Sequence, residues 1–132
     1  MSSACSACLG AVLSLASCGV ASADPCTAKL PPAGTTVQGE VRYIGDGDSL
    51  CIGRTSDPAE WIEIRLADFN APELSEEGGQ EAKATLIRLV KGRRAICQVE
   101  GRSYDRAVAR CSVNAQSIGD EMRRAGIVEG GR

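Results

Sequence analysis

The sequence predicts a small, mainly β domain of the α+β class, with five strands, a helix between strands three and four, and a short helix near the end. Three observations predict it. Short apolar runs alternate with polar residues and are separated by turns rich in Gly, Asp and Pro, one central stretch has helical spacing, and a shorter helical stretch follows the last strand. A chain of 132 residues is long enough for one such domain.

Residues 1–23 are predicted to be an export signal. They contain no charged side chain, and an apolar run from Leu9 to Val20 leads into Ala21-Ser22-Ala23, which has the form of a signal-peptidase site. The run is too short for a membrane-spanning helix. We therefore expect a periplasmic or secreted protein without a transmembrane helix. Leu15-Ala16-Ser17-Cys18 also has the residue types of a lipobox, so lipoprotein anchoring at Cys18 is the alternative.

Four cysteines follow the predicted signal, and an oxidising compartment favours disulfides between them. Four cysteines allow three pairings. Pairing two strands symmetrically about Tyr104 places Cys97 opposite Cys111, which leaves Cys26 for Cys51. A zinc site is the alternative, but the chain has no histidine and this part of it has no CxxC motif.

The predicted elements follow residues 24–36, an extended lead-in with three prolines. Asp46-Gly47 marks a tight turn between the first two strands, and a looser turn through Gly53 and Pro58 precedes the third. Three strands joined by turns imply an antiparallel meander. The five predicted strands are Thr36–Ile44, Ser49–Ile52, Trp61–Leu66, Arg94–Glu100 and Ala107–Val113.

Two helices complete the prediction. Gln80–Lys91 has an apolar stripe formed by Ala82, Leu86, Leu89 and Val90, and Gly92 ends it. Ser117 can cap the second, which ends at Gly126. A five-stranded barrel with a helix between strands three and four is the OB-like arrangement.

The charge pattern and the lack of histidine restrict the chemistry. Without imidazole there is no Ser-His-Asp triad and no His-ligated metal, so catalysis would depend on carboxylates, guanidiniums and a hard cation. From Asp57 to Glu81 there are eight acidic residues and one basic; from Lys83 to Arg110 there are eight basic and two acidic. An acidic half can hold a cation and a basic half can meet phosphates, although two solvated faces remain the alternative.

Several short motifs together resemble the thermonuclease, or staphylococcal-nuclease-like, family. They are D-G-D-S-L at 46–50, I-R-L at 64–66, A-P-E at 71–73, L-V-K-G-R at 89–93 and Y-D-R at 104–106. The resemblance covers residues 37–128, with residues 129–132 as a tail. It implies an OB-like domain and a secreted, Ca²⁺-dependent endonuclease that hydrolyses DNA or RNA. A monomer is expected.

The resemblance also implies a role for particular residues. Asp48 and the position of Asn70 match calcium ligands, with the Ala71 carbonyl beside them, and oxygen ligands suit Ca²⁺. Glu73 matches the general base. Arg65 and Arg106 match the two phosphate-binding arginines, whose guanidinium forks pair with phosphate oxygens.

Two positions depart from the family pattern. Asn70 stands where the family has a second acidic ligand, and Asp105 stands where it commonly has glycine. Asn70 removes a negative charge, so the ion should bind more weakly. Asp68, two residues earlier, would share its face in extended backbone, and we hypothesise that it supplies the missing charge. The alternatives are a catalytically inactive OB-like nucleic-acid-binding module and a disulfide-stapled protein-interaction domain.

Overall fold

The computed structural model describes residues 24–130, which form a closed OB-like barrel with two helices. The predicted signal at 1–23, including Cys18, and the last two residues of the predicted tail lie outside the described residues. The elements in chain order are β1 (Thr36–Asp46), β2 (Ser49–Gly53), β3 (Ile62–Leu66), α1 (Gly79–Val90), β4 (Arg94–Ser103), β5 (Arg106–Val113), β6 (Gln116–Ser117) and α2 (Ile118–Arg124).

The sheet order is β3-β2-β1-β4-β5-β6, and β3 also pairs with β5. The β1, β2 and β3 strands form the antiparallel meander that the turn signals predict. The β3–β5 pairing is parallel, with Ile64 opposite Ala107, and it closes the five-stranded barrel. The two-residue β6 extends the sheet beyond β5 and was not predicted.

Turn chemistry accounts for the two hairpins. Asp46 pairs with Ser49, which leaves Gly47 and Asp48 as a two-residue turn. In the β4–β5 hairpin Ser103 pairs with Arg106, so Tyr104 lies in the turn, where its φ is +57°. The predicted pairing of Cys97 with Cys111 is confirmed, but the turn itself is centred between Tyr104 and Asp105, and a register shift between Val99 and Gly101 brings the two cysteines opposite each other.

The helices begin and end close to the predicted residues. The α1 helix covers Gly79–Val90, one residue earlier than predicted at each end, and Gly92 follows it with a φ of +81° that suits glycine. Ser117 caps α2, because its side chain accepts a hydrogen bond from the Asp120 N–H. A 3-10 turn at Pro58–Glu60, also not predicted, leads into β3.

The core lies inside the barrel and under α1. Its largest fully buried side chains include Leu50, Ile52, Ile64, Leu66, Phe69, Leu86, Ile118 and Met122. Two disulfides join the elements at the edges of this core, Cys26 to Cys51 and Cys97 to Cys111, the pairing that the sequence favours. Across residues 24–130, no helix has the length and apolar character that a bilayer-spanning segment needs.

Candidate functional site

The β1–β2 turn places two carboxylates close together at one end of the barrel. The backbone N–H of Asp48 donates to a carboxylate oxygen of Asp46 at 3.0 Å. Gly47 lies between them, and a Cβ there would come within 2.6 Å of the Cβ atoms of both Ala71 and Ala82. The turn therefore packs against the β3–α1 loop and against α1 so closely that only glycine fits.

Asp48 is buried, and its carboxylate binds the loop that follows β3. Its Oδ2 accepts a hydrogen bond from the Ala71 N–H at 2.9 Å and lies 3.4 Å from Nη2 of Arg65. Burial, a hydrogen bond with Asp46 and the charge of Asp46 raise the pKa of Asp48 to about 6. Burial alone would raise the pKa of Asp46 as well, but hydrogen bonds with Asp48 and Ser49 and the charge of Arg106 outweigh it and lower that pKa.

Arg65 lies between the candidate metal ligands. Its Nη2 donates to Oδ1 of Asn70 at 2.7 Å, and the same nitrogen pairs with Asp48. Its Nη1 donates to the carbonyls of Leu66 and, at 3.4 Å, of Phe69. The guanidinium fork therefore joins the β1–β2 turn to the loop after β3.

Asn70 is bound by the end of the described chain as well as by Arg65. Its Nδ2 donates to the Gly130 carbonyl at 3.0 Å, and the Gly130 N–H donates to the Asn70 carbonyl at 2.8 Å. The Asn70 N–H donates to Oε1 of Glu129 at 2.9 Å. These bonds orient the amide with Oδ1 toward Arg65. Sequence reasoning missed Glu129 and Gly130, and no local pattern signals contacts across some sixty residues.

Arg106, the first residue of β5, is half-buried near the same turn. Its positive charge lowers the pKa of Asp46. Burial raises the pKa of Glu63 to about 8, together with a hydrogen bond and charge repulsion from Asp24 and the charge of Asp105. The positive charge of Arg106 opposes this rise. Arg65 and Arg106 thus act on neighbouring carboxylates of one turn. The sequence analysis did not predict a role for Asp46, Asp24 or Glu63. A signal for Asp46 was present, because it lies beside Gly47 opposite the predicted ligand Asp48.

Glu73 is exposed, in the turn that precedes α1. Its N–H donates to Oε1 of Glu76 at 2.9 Å, and its carbonyl accepts from the Glu76 N–H. A Cβ at Gly79 would lie 1.9 Å from the Glu73 carbonyl oxygen, so the first residue of α1 packs directly on this turn. The backbone at Glu73 is therefore fixed, while its role as general base stays a prediction.

The structure separates Asp68 from the candidate ligands, so the expected shared face with Asn70 is wrong. Oδ2 of Asp68 accepts a hydrogen bond from Ser117 Oγ at 2.8 Å, and its carboxylate carbon is 2.9 Å from where a Cβ of Gly119 would lie. The strand ends at Leu66, so the backbone no longer alternates at Asp68. Its carboxylate faces the start of α2 rather than Asp48.

Carboxylate and amide oxygens are ligands that suit a hard cation. The side-chain oxygens of Asp48 and Asn70 both lie near one positively charged atom. That atom is a nitrogen of Arg65, and a metal ion between the two oxygens requires the guanidinium to turn away. Among residues 24–130, no group of three or more Asp, Glu, Cys or His side chains is arranged to hold a metal ion. A metal here would thus have few protein ligands.

The fold and this site define a small OB-like barrel with two arginines and two paired carboxylates at one end. No family model matches the chain. A protein of Haemophilus influenzae described as an uncharacterized endonuclease is 35% identical over 86 residues. The match covers 64% of this chain and 47% of the relative, so the chain spans about half the length of the protein that it matches.

Proposed function

We propose that this protein is an exported, thermonuclease-like endonuclease that hydrolyses phosphodiester bonds of DNA or RNA with the help of Ca²⁺. The observation that carries the proposal is the gathering of two arginines, a buried carboxylate and an amide at one end of the barrel, from β3, the start of β5, the β1–β2 turn and the loop after β3. Similarity to a protein named as an endonuclease supports the same class of activity. Two disulfides are compatible with export.

Each residue has a distinct part in the proposed chemistry. Asp48, with the side-chain oxygen of Asn70 and the carbonyl of Ala71, would hold Ca²⁺. The ion, when bound, would neutralise charge on the phosphate oxygens. Arg65 turns from Asp48 toward the phosphate, where its fork can pair with two oxygens.

The remaining groups serve the substrate and the water. Arg106 supplies a second positive charge, which stabilises the negative charge that develops on the phosphate in the transition state. Glu73 takes a proton from the attacking water. The resemblance to thermonucleases implies products with 3′-phosphate ends.

A nuclease assay on the purified protein tests the proposal. Labelled DNA and RNA are incubated with Ca²⁺ or with a chelator, and Glu73→Gln is compared with the wild type and with Glu77→Gln, another exposed acid of the same loop. We expect cleavage that needs Ca²⁺, survives Glu77→Gln and falls at least a hundredfold in Glu73→Gln. Cleavage that is indifferent to Ca²⁺ and to Glu73 would refute the proposal.

A nucleic-acid-binding module without catalysis is the second candidate. The position of Arg65 favours it, because the guanidinium already binds the two side-chain oxygens that a metal would need. Isothermal titration with Ca²⁺ separates the two candidates. Heat of binding that disappears in Asp48→Asn supports the enzyme, whereas nucleic-acid binding without Ca²⁺ binding supports the module.

A further inference from the structure

The geometry points to a second contact with nucleic acid, a groove lined by Arg42, Arg54 and Arg94 that binds the phosphate backbone away from the candidate active site. The inference rests on the proposed function, since it concerns the same class of ligand. The groove has a volume of about 440 Å³ and lies where β1, the end of β2 and the start of β4 meet. It is called the arginine groove below.

Strand pairing brings the three arginines together from distant parts of the sequence. Glu40 pairs with Gly53 on one side and with Arg94 on the other, so the residues after Gly53 and around Arg94 flank β1. Arg42 is anchored because its Nε donates to the Gly53 carbonyl at 3.2 Å. Arg94 is oriented by the side-chain oxygen of Gln38, 2.5 Å from its Nη2.

The charge of the groove is strongly positive. Three of the lining residues are arginines, and two further exposed cations, Lys91 and Arg93, flank the lining residue Gly92 in the sequence. Glu40 is the acidic residue in the lining, and it pairs with Arg42 at 3.0 Å. The ion pairs among residues 24–130 include none of the other four cations, which are Arg54, Lys91, Arg93 and Arg94. Such a group of unpaired cations on one surface attracts a polyanion.

The shape of the groove admits a backbone ligand. Three glycines line it, Gly39, Gly53 and Gly92, and only Gly92 has open space where a side chain would stand, since the nearest atom to a Cβ there would be Oε1 of Glu40 at 3.9 Å. At Gly39 a Cβ would meet the Gly53 nitrogen at 2.8 Å, so β1 and β2 touch here without side chains between them. A phosphate can therefore approach the main chain at Gly92 while the arginines reach it from the rim.

The distance to the candidate active site suits a long substrate. Asp48 directly precedes β2 and Arg54 directly follows it. Six residues of extended chain span about 20 Å, which is roughly the length of six base pairs of duplex. A nucleic acid longer than this can contact the arginine groove and the candidate active site together.

Salt-dependent binding tests the groove. A labelled 30-base-pair duplex is titrated with protein in the presence of a chelator, and anisotropy is followed at several salt concentrations. The variant is Arg54→Ala with Arg94→Ala, and the matched control is Lys83→Ala with Arg88→Ala in α1, which removes the same charge elsewhere. Two lost phosphate contacts should reduce the slope of log K against log[salt] by about 1.8 and weaken binding about 60-fold at 0.1 M salt.

The outcomes separate this inference from the proposed function. A loss of DNA binding in the groove variant alone supports phosphate binding in the arginine groove, even if the protein shows no cleavage. Equal losses in both variants, or none in either, overturn it, even if the protein cleaves DNA. Vesicles of phosphatidylglycerol serve as a second polyanion: if the groove variant loses vesicle binding and keeps DNA binding, the partner is a membrane and the inference fails. Circular dichroism verifies that both variants are folded.

Discussion

Nη2 of Arg65 lies 2.7 Å from Oδ1 of Asn70 and 3.4 Å from Oδ2 of Asp48, so one guanidinium nitrogen binds the side-chain oxygens of both candidate metal ligands. The same arrangement stabilises the site without a metal, and a metal ion bound between the two oxygens would have to displace the guanidinium. Substitutions of Arg65 and of Asn70 can separate the effect of this contact on stability from its effect on metal binding.

Arg65→Ala should destabilise the protein, because it leaves the buried Asp48 carboxylate without its positive partner. We expect a loss of about 2 kcal/mol in the free energy of unfolding, measured by urea denaturation. Arg65→Lys is the control, since it keeps the charge but loses the fork, and it should recover part of the stability while nuclease activity stays low. Wild-type activity in Arg65→Lys would contradict a role in phosphate binding.

Asn70→Asp should have opposite effects with and without Ca²⁺. Aspartate adds a negative charge beside Asp48 but cannot donate to the Gly130 carbonyl as Nδ2 does. We expect the variant to be less stable by about 1 kcal/mol without metal and to gain more than the wild type when Ca²⁺ is added. Thermal unfolding with and without Ca²⁺ measures both effects.

Asp68→Asn is the matched control for that prediction. Because Asp68 contacts Ser117 rather than Asp48, its replacement should leave the response to Ca²⁺ unchanged. A weaker Ca²⁺ response in Asp68→Asn would revive the idea that Asp68 supplies the missing charge.

Gly47→Ala should displace the β1–β2 turn from α1. The new methyl group would lie 2.6 Å from the Cβ atoms of Ala71 and Ala82, and both neighbours are buried. We expect a loss of about 1 to 3 kcal/mol in the free energy of unfolding. Gly101→Ala is the control, because a Cβ there meets nothing within 4 Å. Equal effects of the two substitutions would refute the close packing at Gly47.

Glu63 should make stability depend on pH. Burial, followed by Asp24 and Asp105, raises its pKa to about 8 from an ordinary value near 4.5. A raised native pKa means that the native state binds the proton more tightly than the unfolded state does. The resulting stabilisation is complete below about pH 4.5 and is lost as the pH rises through about 8.

Glu63→Gln should therefore flatten the dependence of unfolding free energy on pH between 5 and 9, as measured by urea denaturation. Glu77→Gln, at an exposed position, should keep the wild-type profile. A wild-type profile in Glu63→Gln would show that Glu63 titrates normally.

Removing the Cys97–Cys111 disulfide should cost about 3 kcal/mol of unfolding free energy, the value expected for a loop of about 15 residues. The bond joins directly opposed residues of β4 and β5 that are 14 positions apart, and both are buried. Urea denaturation of the double Cys97→Ala, Cys111→Ala variant measures the loss. A variant as stable as the wild type would show that strand pairing alone holds this hairpin.

The sequence by itself determined most of the fold. Alternation along β1, β2 and β3, the Asp46-Gly47 turn, the stripe of α1 and the cap at Ser117 are all local patterns, and each predicts an element that the structure contains. The pairing of Cys97 with Cys111 was predicted from hairpin symmetry as well, although in the structure it depends on the register shift between Val99 and Gly101. These features depend on residues that are near one another in the chain.

Tertiary structure alone decided how the polar groups are paired. The arginine fork that joins Asp48 to Asn70, the bonds from Gly130 to Asn70 and the groove of Arg42, Arg54 and Arg94 all form between separate segments. Sequence spacing even placed Asp68 wrongly, because it assumed extended backbone beyond the end of β3. Side-chain hydrogen bonds and ion pairs depend on distances of a few ångströms between segments, and closing the barrel sets those distances.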